Sequence, residues 1–147
     1  YLTQYFGKAG ANFYNIVRGI QTSAVKPNRE RKSVGAERTF SKDIREGEYM
    51  EEQLEKITAE IERRIQKSSL KGRTVTLKIK YHDFKQQTRS KTESKLIESK
   101  QDLLRLAKEL LVKEELAGPV RLLGVTLSNL DNEQNTSAVY IQSAIAF

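Results

Sequence analysis

Apolar positions recur with a period of two in some stretches of this chain and close to four in others, and the two periods lay out its elements. Val75, Leu77, Ile79 and Tyr81 alternate with Thr74, Thr76, Lys78 and Lys80, which predicts a strand with one buried and one polar face. Within 120–130, Leu123, Val125 and Leu127 alternate with Gly124, Thr126 and Ser128 and predict another. Met50, Leu54, Ile57, Ile61 and Ile65 follow helical spacing and put Glu51, Glu52, Glu55 and Glu62 on other faces, until Lys71-Gly72 ends the pattern. Leu103, Leu104, Ala107, Leu110 and Leu111 form a second such stripe, closed by Gly118-Pro119. Residues 33–40 read as a further strand. Residues 85–95 are polar, with Thr88, Ser90 and Thr92 at period two, and suit an edge strand whose charges discourage aggregation.

The resulting order is strand, helix, strand, strand, helix, strand, an α+β fold of βαββαβ type. It predicts a four-stranded sheet with two helices on one face and the other face open. A short helix precedes it in residues 1–22, with Phe13, Ile16, Val17 and Ile20 on one side and Gly7 and Gly10 near its start. Residues 26–31, containing Pro27, read as a charged extended linker. Residues 131–137 have loop composition, and an apolar tail follows from Val139.

Charge divides along the same lines. The net charge of +7 is concentrated in residues 1–47, with nine basic against four acidic residues, and residues 71–100, with nine against three. Residues 48–70 and 101–147 each carry four basic and six acidic residues. With helices in the acidic blocks and strands in the basic ones, the sheet acquires a positive face. The chain has no Cys and one His, which excludes disulfides, thiolate chemistry and a multi-His metal site within one copy. The lack of Cys agrees with a reducing cytosol, and a cytoplasmic location is expected. No stretch reaches the roughly 18 apolar residues of a membrane span, so no membrane partner is expected. Nor does a long exposed apolar stripe call for self-association, and a monomer is expected. The chain begins with Tyr1, and a start inside a longer protein is expected.

Autonomous catalysis finds no support. Asp43, Asp83, Asp102 and Asp131 are scattered rather than paired for two-metal chemistry, there is no phosphate-binding loop, and His82 lacks a partner pattern, reading as a turn or surface residue. No catalytic residue, metal site or cofactor is assigned. The basic segments mix cations with small hydroxyl residues: Arg31, Lys32, Ser33, Arg38 and Thr39 in one, Thr88, Arg89, Ser90 and Lys91 in the other. Cations supply charge to phosphate oxygens, while hydroxyls and backbone N–H groups place those oxygens. Gly35 and Gly124 would admit backbone to a phosphate. Few aromatics lie in these strands, so base stacking is not indicated, and the expected partner is duplex backbone read without sequence.

The residues also carry a resemblance. Phe6-Gly-Lys-Ala-Gly10, Tyr14, Arg18-Gly19-Ile20, Val25, Pro27, Arg31-Lys-Ser-Val-Gly-Ala-Glu-Arg-Thr-Phe40, Asp83-Phe84, Thr88-Arg89-Ser90 and Val120-Arg121-Leu-Leu-Gly-Val125 resemble the C-terminal part of the DNA polymerase IV group, the DinB branch of the Y-family translesion polymerases. The resemblance implies that residues 1–24 end the thumb, 25–32 tether, and 33–130 form the little finger, with 131–147 a tail. It implies duplex primer-template DNA as partner. The contacts it implies are Lys32, Ser33, Arg38, Thr39, Thr88, Arg89, Ser90, Lys91 and Arg121, although strand parity cannot put all of them on one face and groups Arg38 with Val34 and Phe40. Palm and fingers are absent from this sequence, so magnesium and nucleotide insertion belong to the implied parent, which would be an error-prone polymerase.

The tail Gln142-Ser-Ala-Ile-Ala-Phe147 is similar to the family's clamp-binding peptide, which implies Gln142, Ile145 and Phe147 as contacts to the replication sliding clamp; a terminal strand packing on the sheet fits the same residues. The alternative function is a protein-interaction module that docks on a sliding clamp or another acidic partner.

Overall fold

The structure is a computed structural model that describes residues 1–20, 24, 25, 27 and 29–131. It divides into two units, Tyr1–Glu30 and a second beginning at Arg31. The first holds helices α1 (Leu2–Phe6) and α2 (Lys8–Val17). They are separated at Gly7, whose φ of 53° is open to glycine at little cost. Gly10 lets the two cross closely, because a Cβ there would lie 2.3 Å from the Leu2 carbonyl oxygen. The helical pattern of residues 1–22 is thus two helices, and α2 stops at Val17, two residues before Gly19 turns the chain at φ 70°.

The second unit runs β1 (Ser33–Ile44), α3 (Gly47–Lys67), β2 (Gly72–Tyr81), β3 (Gln86–Ile97), α4 (Lys100–Val112) and β4 (Val120–Leu130). This is the predicted α+β order. The strands lie β1-β4-β2-β3 and every neighbouring pair is antiparallel. β1 continues to Ile44, past the expected end at Phe40, with a register shift after Thr39. β3 is the predicted polar edge strand.

Both helices pack on one side of the sheet, α3 against β1 and β4, α4 against β2 and β3. The stripe Met50, Leu54, Ile57, Ile61 and Ile65 is buried against Val75, Leu77, Ile79, Leu123, Val125 and Leu127. Each such aliphatic side chain contributes roughly 1.5–3 kcal/mol on burial. In α4 the core positions are Leu103, Leu106, Ala107, Leu110 and Leu111, with Leu104 only half-buried. Ser99 starts α4, its hydroxyl oxygen accepting from the Asp102 backbone N–H at 3.2 Å. The helix ends at Val112, before the expected Gly118-Pro119. No helix among the described residues is long and apolar enough to cross a membrane.

Candidate nucleic-acid interface

Among the described residues no element of its own unit covers the sheet's other face, and strand register sorts its side chains into four rows. The first is Ser33, Ser128, Thr74 and Thr92; the second is Gly35, Thr126, Thr76 and Ser90. The third is Glu37, Gly124, Lys78 and Thr88, and the fourth is Thr39, Leu122, Lys80 and Gln86. The alternation that buries Val75, Leu77 and Ile79 turns Thr74, Thr76, Lys78 and Lys80 outward. Hydroxyls meet across the strands, Thr74 with Thr92 at 2.9 Å and Thr76 with Ser90 at 2.8 Å. Such pairs hold the rotamers of groups that can also bond to an incoming oxygen.

Cations gather toward the fourth row. Lys78 pairs with Glu37 at 2.8 Å across Gly124. Lys80 and Arg121 both lie over the Phe84 ring, at 5.1 and 4.9 Å from its centroid. Arg121 occupies the β4 irregularity, since Lys80 pairs with Leu122 and Tyr81 with Val120. Phe84 is 62% exposed in the β2–β3 turn, at a φ of 65° that bulky residues seldom adopt. In the same turn Lys85 donates a hydrogen bond that holds the Asp83 carboxyl below its usual value.

Ser33, Thr39, Thr88 and Ser90 therefore lie on the open face, with Arg121 beside its end. Lys32 is exposed just before β1. Arg38 is exposed on edge strand β1 but has the parity of Val34. Gln142, Ile145 and Phe147 lie outside the described residues.

Arg89 and Lys91 correct the expectation of one convergent positive surface, because both project to the helix side. Arg89 is only 5% exposed. Its Nη1 donates to the Leu110 and Leu111 carbonyls at 2.9 and 2.8 Å, and its Nη2 to Gln87 Oε1 at 3.2 Å. Its Nε is buried without an acceptor, the Glu114 carboxylate being 3.8 Å away. Gln87 Oε1 also accepts from the Tyr81 hydroxyl at 2.7 Å, and Gln87 Nε2 donates to Glu114 at 2.9 Å. The last carbonyls of a helix have no partner within it, and α4 has no basic residue in its last turn. Arg89 supplies that positive charge from the neighbouring strand. Lys91 pairs with Glu109 at 2.7 Å, which raises the Lys91 pKa and lowers that of Glu109.

The two glycines have a packing role. A Cβ at Gly35 would lie 2.7 Å from Thr126 Oγ1, and one at Gly124 would lie 3.0 Å from Glu37 Cβ. Lys78, Lys80, Thr74, Thr76, Thr126 and Ser128 were not assigned as contacts from sequence, although the alternation around Val75 and Val125 already set them on the polar face. The residues present do not fit a divalent ion: no three His, Cys, Asp or Glu side chains converge among those described.

Residues 31–139 match the impB/mucB/samB family C-terminal domain, and the chain belongs to that family. Its relatives are DNA polymerase IV proteins. DNA polymerase IV 2 of Agrobacterium fabrum is 44% identical over 91% of this chain, and DNA polymerase IV of Akkermansia muciniphila 39% identical over 91%. The chain spans 38% of the length of each. A solved complex of the beta-clamp processivity factor and the little finger domain of PolIV includes a chain of the same fold, with TM-score 0.57 and 30% identity, covering 68% of this chain and 90% of that one.

Proposed function

We propose that this chain grips duplex DNA through the backbone, without reading sequence, as the little finger of an error-prone translesion polymerase. One observation carries the reading: four rows of mostly hydroxyl side chains on a face that no described element of its unit covers, with Lys78, Lys80 and Arg121 toward one end and Glu37 as the rows' one carboxylate. Such a face offers charge and short-range hydrogen bonds to phosphates. Ser33, Thr39, Thr88 and Ser90 make those bonds, and Lys32, from beside β1, adds charge. Arg38 reaches phosphate from the edge, whereas Arg89 and Lys91 support the sheet from behind. A grip of this kind raises the local concentration of DNA at a loosely closing active site. In this reading residues 1–24 end the thumb and residues 25–32 are the tether. Nucleotide insertion and its magnesium reside in the parent's palm, and the site of action is the bacterial cytoplasm.

A second reading concerns the sliding clamp, and the solved neighbour favours it because that little finger is in complex with a beta-clamp. Here Gln142 bonds at a pocket rim while Ile145 and Phe147 fill an apolar pocket. The two readings are compatible, and one experiment measures both. Duplex affinity is titrated at several salt concentrations beside a pull-down with clamp protein. Log affinity is expected to fall against log salt with a slope of several units. Lys80→Ala with Arg121→Ala is expected to flatten that slope by roughly two units. Deleting residues 139–147 is expected to abolish clamp capture and leave duplex binding unchanged. A flat salt response, or a double variant that binds as tightly as the parent chain, overturns the duplex reading.

A further inference from the structure

The second half of β1 and the first turns of α3 border a groove of about 750 Å³, within the roughly 300–1,000 Å³ of sites that take small molecules. Phe40 and Tyr49 meet edge to face along it, ring centroids 6.4 Å apart, and Tyr49 is 44% exposed. Gln53 also lines it. Its amide makes no hydrogen bond to protein among the described residues, and its polar atoms stay open to solvent. An amide left open in this way can both donate to and accept from a ligand. Arg38 and Lys42 alternate with Thr39 and Ser41 along the groove, and neither cation has a carboxylate partner among the described residues; Glu46 is the one acid in the lining. Thr39 belongs both to this lining and to the fourth row of the open face.

We propose that the groove takes an unpaired nucleotide from a DNA single strand that continues beyond a duplex on the open face. The base lies against Tyr49 and Phe40, the Gln53 amide bonds its edge as donor and acceptor, and Arg38 and Lys42 meet the flanking phosphates. An acidic peptide would also satisfy the cations. The amide beside an aromatic pair, on the strand that carries the open face, favours a nucleotide. The proposal rests on the duplex reading above, and the experiment separates the two.

A short blunt duplex is compared with the same duplex carrying a single-stranded overhang that contains 2-aminopurine, by anisotropy and by quenching of the base. The overhang is expected to tighten binding about tenfold, the size of one stacked base. Tyr49→Ala and Gln53→Leu are each expected to remove most of that gain and the quenching while blunt-duplex affinity stays unchanged, and Tyr49→Phe to keep both. Equal affinity for the two duplexes, or a gain that survives Tyr49→Ala and Gln53→Leu, overturns the proposal. So does a Tyr49-dependent response to an acidic aromatic peptide without a response to the overhang. Should the blunt duplex fail to bind, the duplex reading falls, and quenching of a short 2-aminopurine oligonucleotide alone, lost in Tyr49→Ala, still decides the groove.

Discussion

Along β3, Thr88, Ser90 and Thr92 face the side of the sheet away from the helices while Arg89 and Lys91, one residue away from each, face α4. A surface hydroxyl gains little from burial and stays near water. The guanidinium is instead drawn to a helix end, where it donates to the Leu110 and Leu111 carbonyls. A cation in a basic segment therefore reports where a charge is needed, and that need can lie within the protein as readily as in a partner. On β2 the division is simpler, with Val75, Leu77 and Ile79 turned inward and Thr76, Lys78 and Lys80 outward.

The sharpest way to break this contrast is to truncate neighbours on opposite faces. Leu77→Ala is expected to cost about 2–5 kcal/mol in denaturant unfolding, whereas Thr76→Ala stays within about 1 kcal/mol and lowers duplex affinity instead. Similar losses of stability from both would mean that the outer face is structural. Next in size, Arg89→Ala strips the donors from Leu110 and Leu111 and is expected to cost about 1.5–3 kcal/mol, read by thermal melting. Its duplex affinity and salt slope are expected to match those of the unaltered chain. A shallower slope would return Arg89 to the DNA side.

The smallest effect is a pH dependence. The hydrogen bond from Lys91 holds the Glu109 carboxyl below its ordinary 4.5, with Arg105 adding to it. A lowered folded-state pKa means stabilisation that is fully present above the ordinary value and is lost as pH falls through the lowered one. Lys91→Met is expected to move the Glu109 titration, followed by carboxyl NMR, back toward 4.5 and to shrink the acid-side loss. An unmoved titration would show that Arg105 alone sets it.

The fold was readable because its periods are clean: Val75 to Tyr81 admits one strand register, and Met50 to Ile65 one helical stripe. Even β3 was legible, since Thr88, Ser90 and Thr92 keep strict alternation. Its cations were misplaced because charge was weighed above parity. Arg89 and Lys91 share the parity opposite to those hydroxyls, so all five could not converge. Nothing local could show that Arg89 bonds the last carbonyls of α4, or that Gln53 lines a groove with β1, because both facts depend on contacts between segments distant in sequence. Phe40 and Tyr49 were likewise invisible as a pair, lying in different elements that meet only when β1 packs beside α3.

The Glu37–Lys78 bridge over Gly124 gives the middle of the open face a counter-ion of its own. A phosphate arriving there must evict a tethered carboxylate rather than a free-floating anion, and that carboxylate waits within reach to return. In the proposed duplex grip, engagement at this spot is an exchange between two negative groups, which would shorten each residence and let a nucleic acid step along the protein instead of sticking to it.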